Sequence, residues 1–147
     1  MDKPSYPFRK IKRELLFEFD SVSESKLIHK VIAYELIDDV ENIFNLSLVD
    51  KDENGQLSDL MVSNNQDMEK VLSTVVQTLG IFFTEFEGAK VFFKGSTSSR
   101  TRLYRMVIAK FHEDFKREYS IFGFMHSQPQ VFEPGKEYEA FLIAKKV

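Results

Sequence analysis

The sequence predicts an α+β fold: a mostly antiparallel sheet of about six strands with two helices packed on one face. Three observations lead there. Short apolar segments with strand-like patterning fill the first third of the chain, two segments with three- and four-residue apolar spacing follow, and two further strand-like runs close the sequence. At 147 residues and 43% hydrophobic composition, the chain supports one ordinary core, so a single globular domain over residues 1–147 is expected.

Residues 11–19 alternate, with Ile11, Leu15, Phe17 and Phe19 on one side, and predict a strand with one buried face. Residues 25–37 (SKLIHKVIAYELI) are rich in β-branched and aromatic side chains and predict a second strand. The polar turn Asp20 to Glu24 between them allows an antiparallel hairpin. After the acidic break Asp38, Asp39 and Glu41, the alternation of Phe44, Leu46 and Leu48 with polar neighbours predicts a third strand, making the first third a meander. DKDENG (50–55) is a turn signal, and residues 56–67 form a polar loop offering Ser63, Asn65 and Asp67 as helix caps.

The clearest helix follows, with Met68, Val71, Leu72, Val75, Leu79, Phe82, Phe83 and Phe86 on one stripe and Gly88 at its exit. AKVFF (89–93) reads as a short strand leading through Lys94 and Gly95 into a second helix, whose stripe is Leu103, Tyr104, Val107, Ile108, Phe111 and Phe115. YSIFGFM (119–125) and YEAFLIAKK (138–146) are the last strands, separated by a loop that Pro129, Pro134 and Gly135 keep from extending either one.

Composition narrows the chemistry. The absence of cysteine removes disulfides, thiolate nucleophiles and Cys-ligated metal centres, and suits a reducing cytoplasm. The amino-terminal MDKPSYPFRKIKR has no apolar core of signal-peptide length, and no apolar run of about 18 residues occurs, so a cytoplasmic protein without membrane contact is expected. With 15 Phe and no Trp, the core must be filled by rings that need no hydrogen-bond partner, and a surplus leaves a homodimer interface open. The net charge of −3 is unevenly spread: residues 90–117 hold eight Lys or Arg against Glu113 and Asp114, or +6, which leaves −9 elsewhere. Such a split favours an anionic ligand at one place on an acidic body, although an ordinary solvated helix face would show the same charges.

The turn from strand to second helix has a concrete anion-binding mechanism. Gly95 permits close backbone approach, Ser96, Thr97, Ser98 and Ser99 supply hydroxyls beside unpaired helix N–H groups, and Lys94 adds charge. Arg100 precedes Leu103 and Tyr104 by three and four residues and is expected to point inward along the sheet edge, whereas Arg102 and Arg105 are expected to face outward as field charges. The alternative is simple capping by Ser and Thr, with Arg100 paired to a carboxylate of the fold. KGST is no nucleotide-binding P-loop, because no glycine precedes it at the required spacing.

DKDENG imitates half a calcium loop through Asp50, Asp52, Asn54 and Gly55, but Met61 occupies the position that needs a bidentate Glu, so a hairpin-type turn is expected instead. Asp38, Asp39, Glu41 and Asp59 have no spacing that demands magnesium. No metal site and no cofactor is expected. Of the three histidines, His29 and His126 read as structural. His112, seven residues after Arg105 on one polar helical face, is the candidate general acid or base toward a phosphate-bearing ligand, with Asp67 as a second candidate.

SNNQDMEKVLSTVVQTL (63–79), KGSTSSRTRLYRMVI (94–108) and YEAFLIAKK together resemble a functionally uncharacterised family of small Bacteroidetes-type bacterial proteins, whose members read approximately SNNGD…KVLATV and KGSTxxRTRLY. Gln66 and Ser73 depart from that pattern, where glycine and alanine are usual. The resemblance implies no activity. It does imply that Asn64, Asn65, Asp67 and the segment from Gly95 to Arg102 are the places to look.

The leading expectation is therefore a binding or interaction domain holding a small anionic molecule, through phosphate or carboxylate, at the start of the second helix. Nucleic acid is a less favoured partner, because the pI is about 5.7 and no aromatic-basic stacking motif is readable, although Arg9, Lys10, Lys12 and Arg13 would extend a basic patch. One rival is a small enzyme, of nuclease or toxin type, acting on a phosphorylated substrate or nucleic acid through Arg100, Arg102 and His112 or Asp67. Another is a purely structural dimer joined by exposed Phe.

Overall fold

A computed structural model describes residues 4–12, 15–22, 27–52, 54–55, 57–58 and 67–146. The fold is α+β, with mostly antiparallel strand pairing. Nine strands and three helices stand among the described residues, where the sequence predicts about six and two. The chain divides into two compact units, residues 1–34 with 47–85, and residues 35–46 with 86–147.

The first unit contains β1 (Phe8–Lys12), β2 (Leu16–Val22), most of β3 (Leu27–Asp38), the end of β4 (Ile43–Lys51), β5 (Leu57–Ser58) and α1 (Met68–Glu85). β1, β2 and β3 pair antiparallel in sequence order, with Phe17 opposite Ile32 and Phe19 opposite Lys30. The continuous strand expected over 11–19 is thus two strands folded back at Leu15, and β1 reaches further toward the amino terminus. Alternation persists through the turn, so the pattern alone does not mark the break. β5 pairs with β4 across the DKDENG turn, where Gly55 adopts φ 80° and Asp52 Oδ1 accepts from the Asn54 N–H at 2.9 Å.

α1 forms where its apolar stripe predicts. Val71, Leu72, Val75, Leu79 and Phe82 are buried, and Phe82 stacks on Tyr34 at 4.4 Å. The Tyr34 and Thr78 hydroxyls share a hydrogen bond of 2.8 Å, which satisfies the polar end of a ring otherwise in the core. The expected caps Ser63 and Asn65 lie outside the described residues.

The second unit contains the end of β3, the start of β4, β6 (Lys90–Phe93), α2 (Ser98–Lys110), α3 (His112–Glu118), β7 (Tyr119–Met125), β8 (Gln128–Val131) and β9 (Ala140–Lys145). β4 pairs parallel with β6, which pairs antiparallel with β9, and β9 with β7, and β7 with β8. The expected loop after β7 thus includes β8, a strand of exposed and half-exposed residues that holds Pro129. Proline is tolerated there because an edge strand has no neighbour for its missing N–H to serve.

The second helix expected through Phe115 is two helices. Phe111 leaves the α region at φ −107°, ψ 19°, ends α2, and lets α3 begin with Phe115 buried. Phe93 stacks on Tyr104 at 4.6 Å, fixing α2 on β6. None of the large apolar side chains that stand exposed among the described residues is a phenylalanine; they are Val22, Leu27, Leu36, Ile37, Val40, Met106 and Val131. Phe8, Phe92, Phe111, Phe122 and Phe124 are half-buried. No helix among the described residues is long and apolar enough to cross a membrane.

Candidate ligand cleft

The turn between β6 and α2 is built by reciprocal hydrogen bonds. Thr97 is the N-cap of α2, its Oγ1 accepting from the Arg100 N–H at 3.1 Å, while Thr101 Oγ1 accepts from the Gly95 N–H at 3.0 Å. Gly95 is required here, but for a reason other than ligand approach. A Cβ at this position would lie 2.6 Å from both Arg100 Cβ and the Thr101 amide nitrogen, so the missing side chain makes room for the helix itself. The capping expected of Ser and Thr is present, and it consumes Thr97 and Thr101. The first-turn amides of Ser98 and Ser99 still lack intrahelical acceptors.

Beside this turn lies a cleft of about 430 Å3, lined by Lys94, Gly95, Ser96, Thr97, Ser98, Thr101, Arg105 and residues 137–139. The sheet register assembles it. Because Phe93 pairs with Phe141 in antiparallel sense, the chain leaving β6 at Lys94 runs beside the chain entering β9 at Glu139. Tyr138 anchors the second side. It is 1% exposed, its ring occupies the space that a Cβ on Gly123 would need at 2.2 Å, and its hydroxyl accepts from the Glu133 N–H at 2.9 Å. Glu137 and Glu139 flank it and are exposed, so both carboxylates sit on the outer side of a chain whose burial alternates.

Arg105 lines this cleft, whereas Arg100 and Arg102 are not among its lining residues. The expected division of the arginines therefore changes. Arg100 is half-buried against Gly95, Arg102 is exposed, and Arg105, expected to face outward, borders the space. No hydrogen bond or ion pair joins the side chain of Lys94, Arg105, Glu137 or Glu139 to another described residue.

The acid-base candidates are placed elsewhere. His112 opens α3 half-buried against the ring of Phe132, 5.1 Å between centroids, and does not line the cleft. Asp67 belongs to the first unit, where its Oδ2 accepts from the Tyr6 hydroxyl at 3.0 Å and from Ser21 Oγ, and its Oδ1 is buried with no hydrogen-bond partner among the described residues. These bonds tie the start of α1 to β2 and to the chain before β1. Asn64 and Asn65 lie outside the described residues.

The first unit has its own charged surface, a cleft of about 330 Å3 lined by Arg9, Glu18, His29, Lys51, Asp52 and Gly55. Its charges are paired, Lys51 with Glu18 at 3.1 Å and Arg9 with Glu18 at 3.8 Å, and His29 Nδ1 lies within hydrogen-bond distance of Asp20 at 2.5 Å. Beneath it, Lys30 and Asp50 form a fully buried ion pair at 2.5 Å, which turns the first oxygen of the calcium-like DKDENG run into the core. Among the described residues no group of three or more His, Asp or Glu side chains could hold a metal ion.

Of the cleft lining, Lys94 to Thr97 are legible in the sequence as a glycine-led helix start. Glu137, Tyr138 and Glu139 are not, because only strand pairing brings them there. A family model described as Family of unknown function (DUF6934) matches residues 2–146. No curated protein and no solved structure matches the chain.

Proposed function

The chain belongs to DUF6934, a family of unknown function, and on that premise we propose that it is a binding domain that holds the anionic group of a small ligand in the cleft beside α2. One observation carries the reading: Lys94 and Arg105 border the same cleft and have no anionic partner among the described residues. A phosphate or carboxylate there would take charge-assisted hydrogen bonds from both cations, and the hydroxyls of Ser96 and Ser98 border the same space. The volume suits a metabolite-sized molecule rather than a polymer strand. Neither His112 nor Asp67 borders this space, so binding is favoured over proton transfer as the role of the cleft.

Calorimetric titration with ethyl phosphate at low ionic strength tests the proposal. The wild-type protein binds it saturably, and Lys94→Gln with Arg105→Gln weakens binding by roughly a hundredfold, about tenfold for each charge-assisted contact removed. Arg100→Ala leaves the affinity within about twofold, as expected for a substitution outside the lining. Equal affinity in the double variant and the wild type overturns the proposal.

A further inference from the structure

We infer that the ligand of this cleft is a small zwitterion, a molecule carrying an ammonium group a few bonds from its phosphate or carboxylate. This rests on the anion reading of the same cleft and adds the second charge. The lining holds two cations, Lys94 and Arg105, and two anions, Glu137 and Glu139, drawn from three separate stretches of chain. Opposite charges that line one cleft ordinarily neutralise one another by direct pairing, as Arg9, Glu18 and Lys51 do in the first unit. Here, among the described residues, no ion pair joins the two signs.

The two carboxylates also share a side. Tyr138, buried between them against Gly123, places residues 137 and 139 on the same exposed side of the chain, so a cation in the cleft beside one faces the side that carries the other. A ligand with negative charge alone would meet Lys94 and Arg105 favourably and Glu137 and Glu139 unfavourably. A ligand that also carries an ammonium group turns the second contact into an attraction, and the same four residues then select against simple anions. The cleft of about 430 Å3 accommodates an amino acid or a phosphorylated amine with room for solvent.

Three probes of matched length separate the charges: O-phosphoethanolamine, ethyl phosphate and ethylammonium, each titrated at constant pH and ionic strength and followed by amide chemical shifts. O-phosphoethanolamine is expected to bind roughly tenfold more tightly than ethyl phosphate, with ethylammonium weakest. Glu137→Gln with Glu139→Gln, and each substitution singly, should remove that advantage while leaving ethyl phosphate bound as well or better. Equal affinity of the two phosphates for the wild type overturns the zwitterion and leaves the anion reading standing. An advantage that survives both Gln substitutions also overturns it, because the ammonium would then lie elsewhere. If neither phosphate binds, both readings fall together.

Discussion

Around the first unit's cleft and in the core beneath it charges meet their opposites; around the second unit's cleft, among the described residues, they do not. Lys30 and Asp50, only 2% and 1% exposed, pair in the core, and above them Arg9, Glu18, Asp20, His29 and Lys51 link strands β1 to β4, Lys51 reaching across β3 to Glu18. Around the cleft of the second unit, the side chains of Lys94, Arg105, Glu137 and Glu139 share one space with no bond to another described residue. The difference separates charge that stabilises structure from charge left available. A buried ion pair is retained only when each partner compensates the other's desolvation, whereas exposed charges facing a cleft cost little when left open to solvent.

The sharpest break of this contrast is at Lys30. Lys30→Met leaves the Asp50 carboxylate buried and uncompensated, with Oδ2 already lacking a partner among the described residues, and should cost about 3–5 kcal/mol by urea denaturation. Adding Asp50→Leu should recover most of that loss; a double variant no more stable than the single one would show that the pair itself, rather than its balance, holds the unit together. Next in size is Gly123→Ala, whose methyl would fall 2.2 Å from the Tyr138 ring and force a shift costing about 1–3 kcal/mol. Because Tyr138 positions Glu137 and Glu139, this variant should also move the amide resonances of residues 137–139. The cap is smaller: Thr97→Ala removes the acceptor for the Arg100 N–H and should cost about 1 kcal/mol. Smallest is Lys94→Gln, expected within about 0.5 kcal/mol of wild-type stability while weakening ethyl phosphate.

Tyr119 provides a pH test of the second unit alone. Burial, assisted by the neighbouring Glu118 charge, pushes its phenol up from 10.0 to about 12. The folded state therefore holds a proton that the unfolded chain releases earlier. Its contribution is complete below pH 10 and is lost as pH rises toward 12. Tyr119→Phe should flatten this alkaline loss in a series of urea titrations, and an unchanged slope would contradict the assignment.

How much of this was readable beforehand depended on whether the signal was local. α1 was legible because its stripe repeats within the helix, β4 because its apolar residues alternate with polar ones, and β3, β6, β7 and β9 because each is a compact run rich in apolar residues. Three boundaries were hidden. The β1–β2 turn at Leu15 preserves alternation, the hinge at Phe111 preserves the spacing of Ile108, Phe111 and Phe115, and β8 carries a proline that argues against a strand unless its edge position is known. The site divides in the same way. Lys94 to Thr97 announce a helix start, but the role of Gly95 in admitting the helix rather than a ligand depends on Arg100 and Thr101 folding back over it. The partnership of Lys94 with Glu137 and Glu139 depends on the β6–β9 register, which no local pattern encodes.

The most direct measurement is an amide chemical-shift map of the wild-type protein titrated with ethyl phosphate at low ionic strength. The predicted result is saturable movement confined to residues 94–98, 101 and 105, with the paired surface of Arg9, His29 and Lys51 unmoved. Saturable movement at that paired surface instead, or none at Lys94 and Arg105, would contradict the claim that uncompensated charge marks the ligand site.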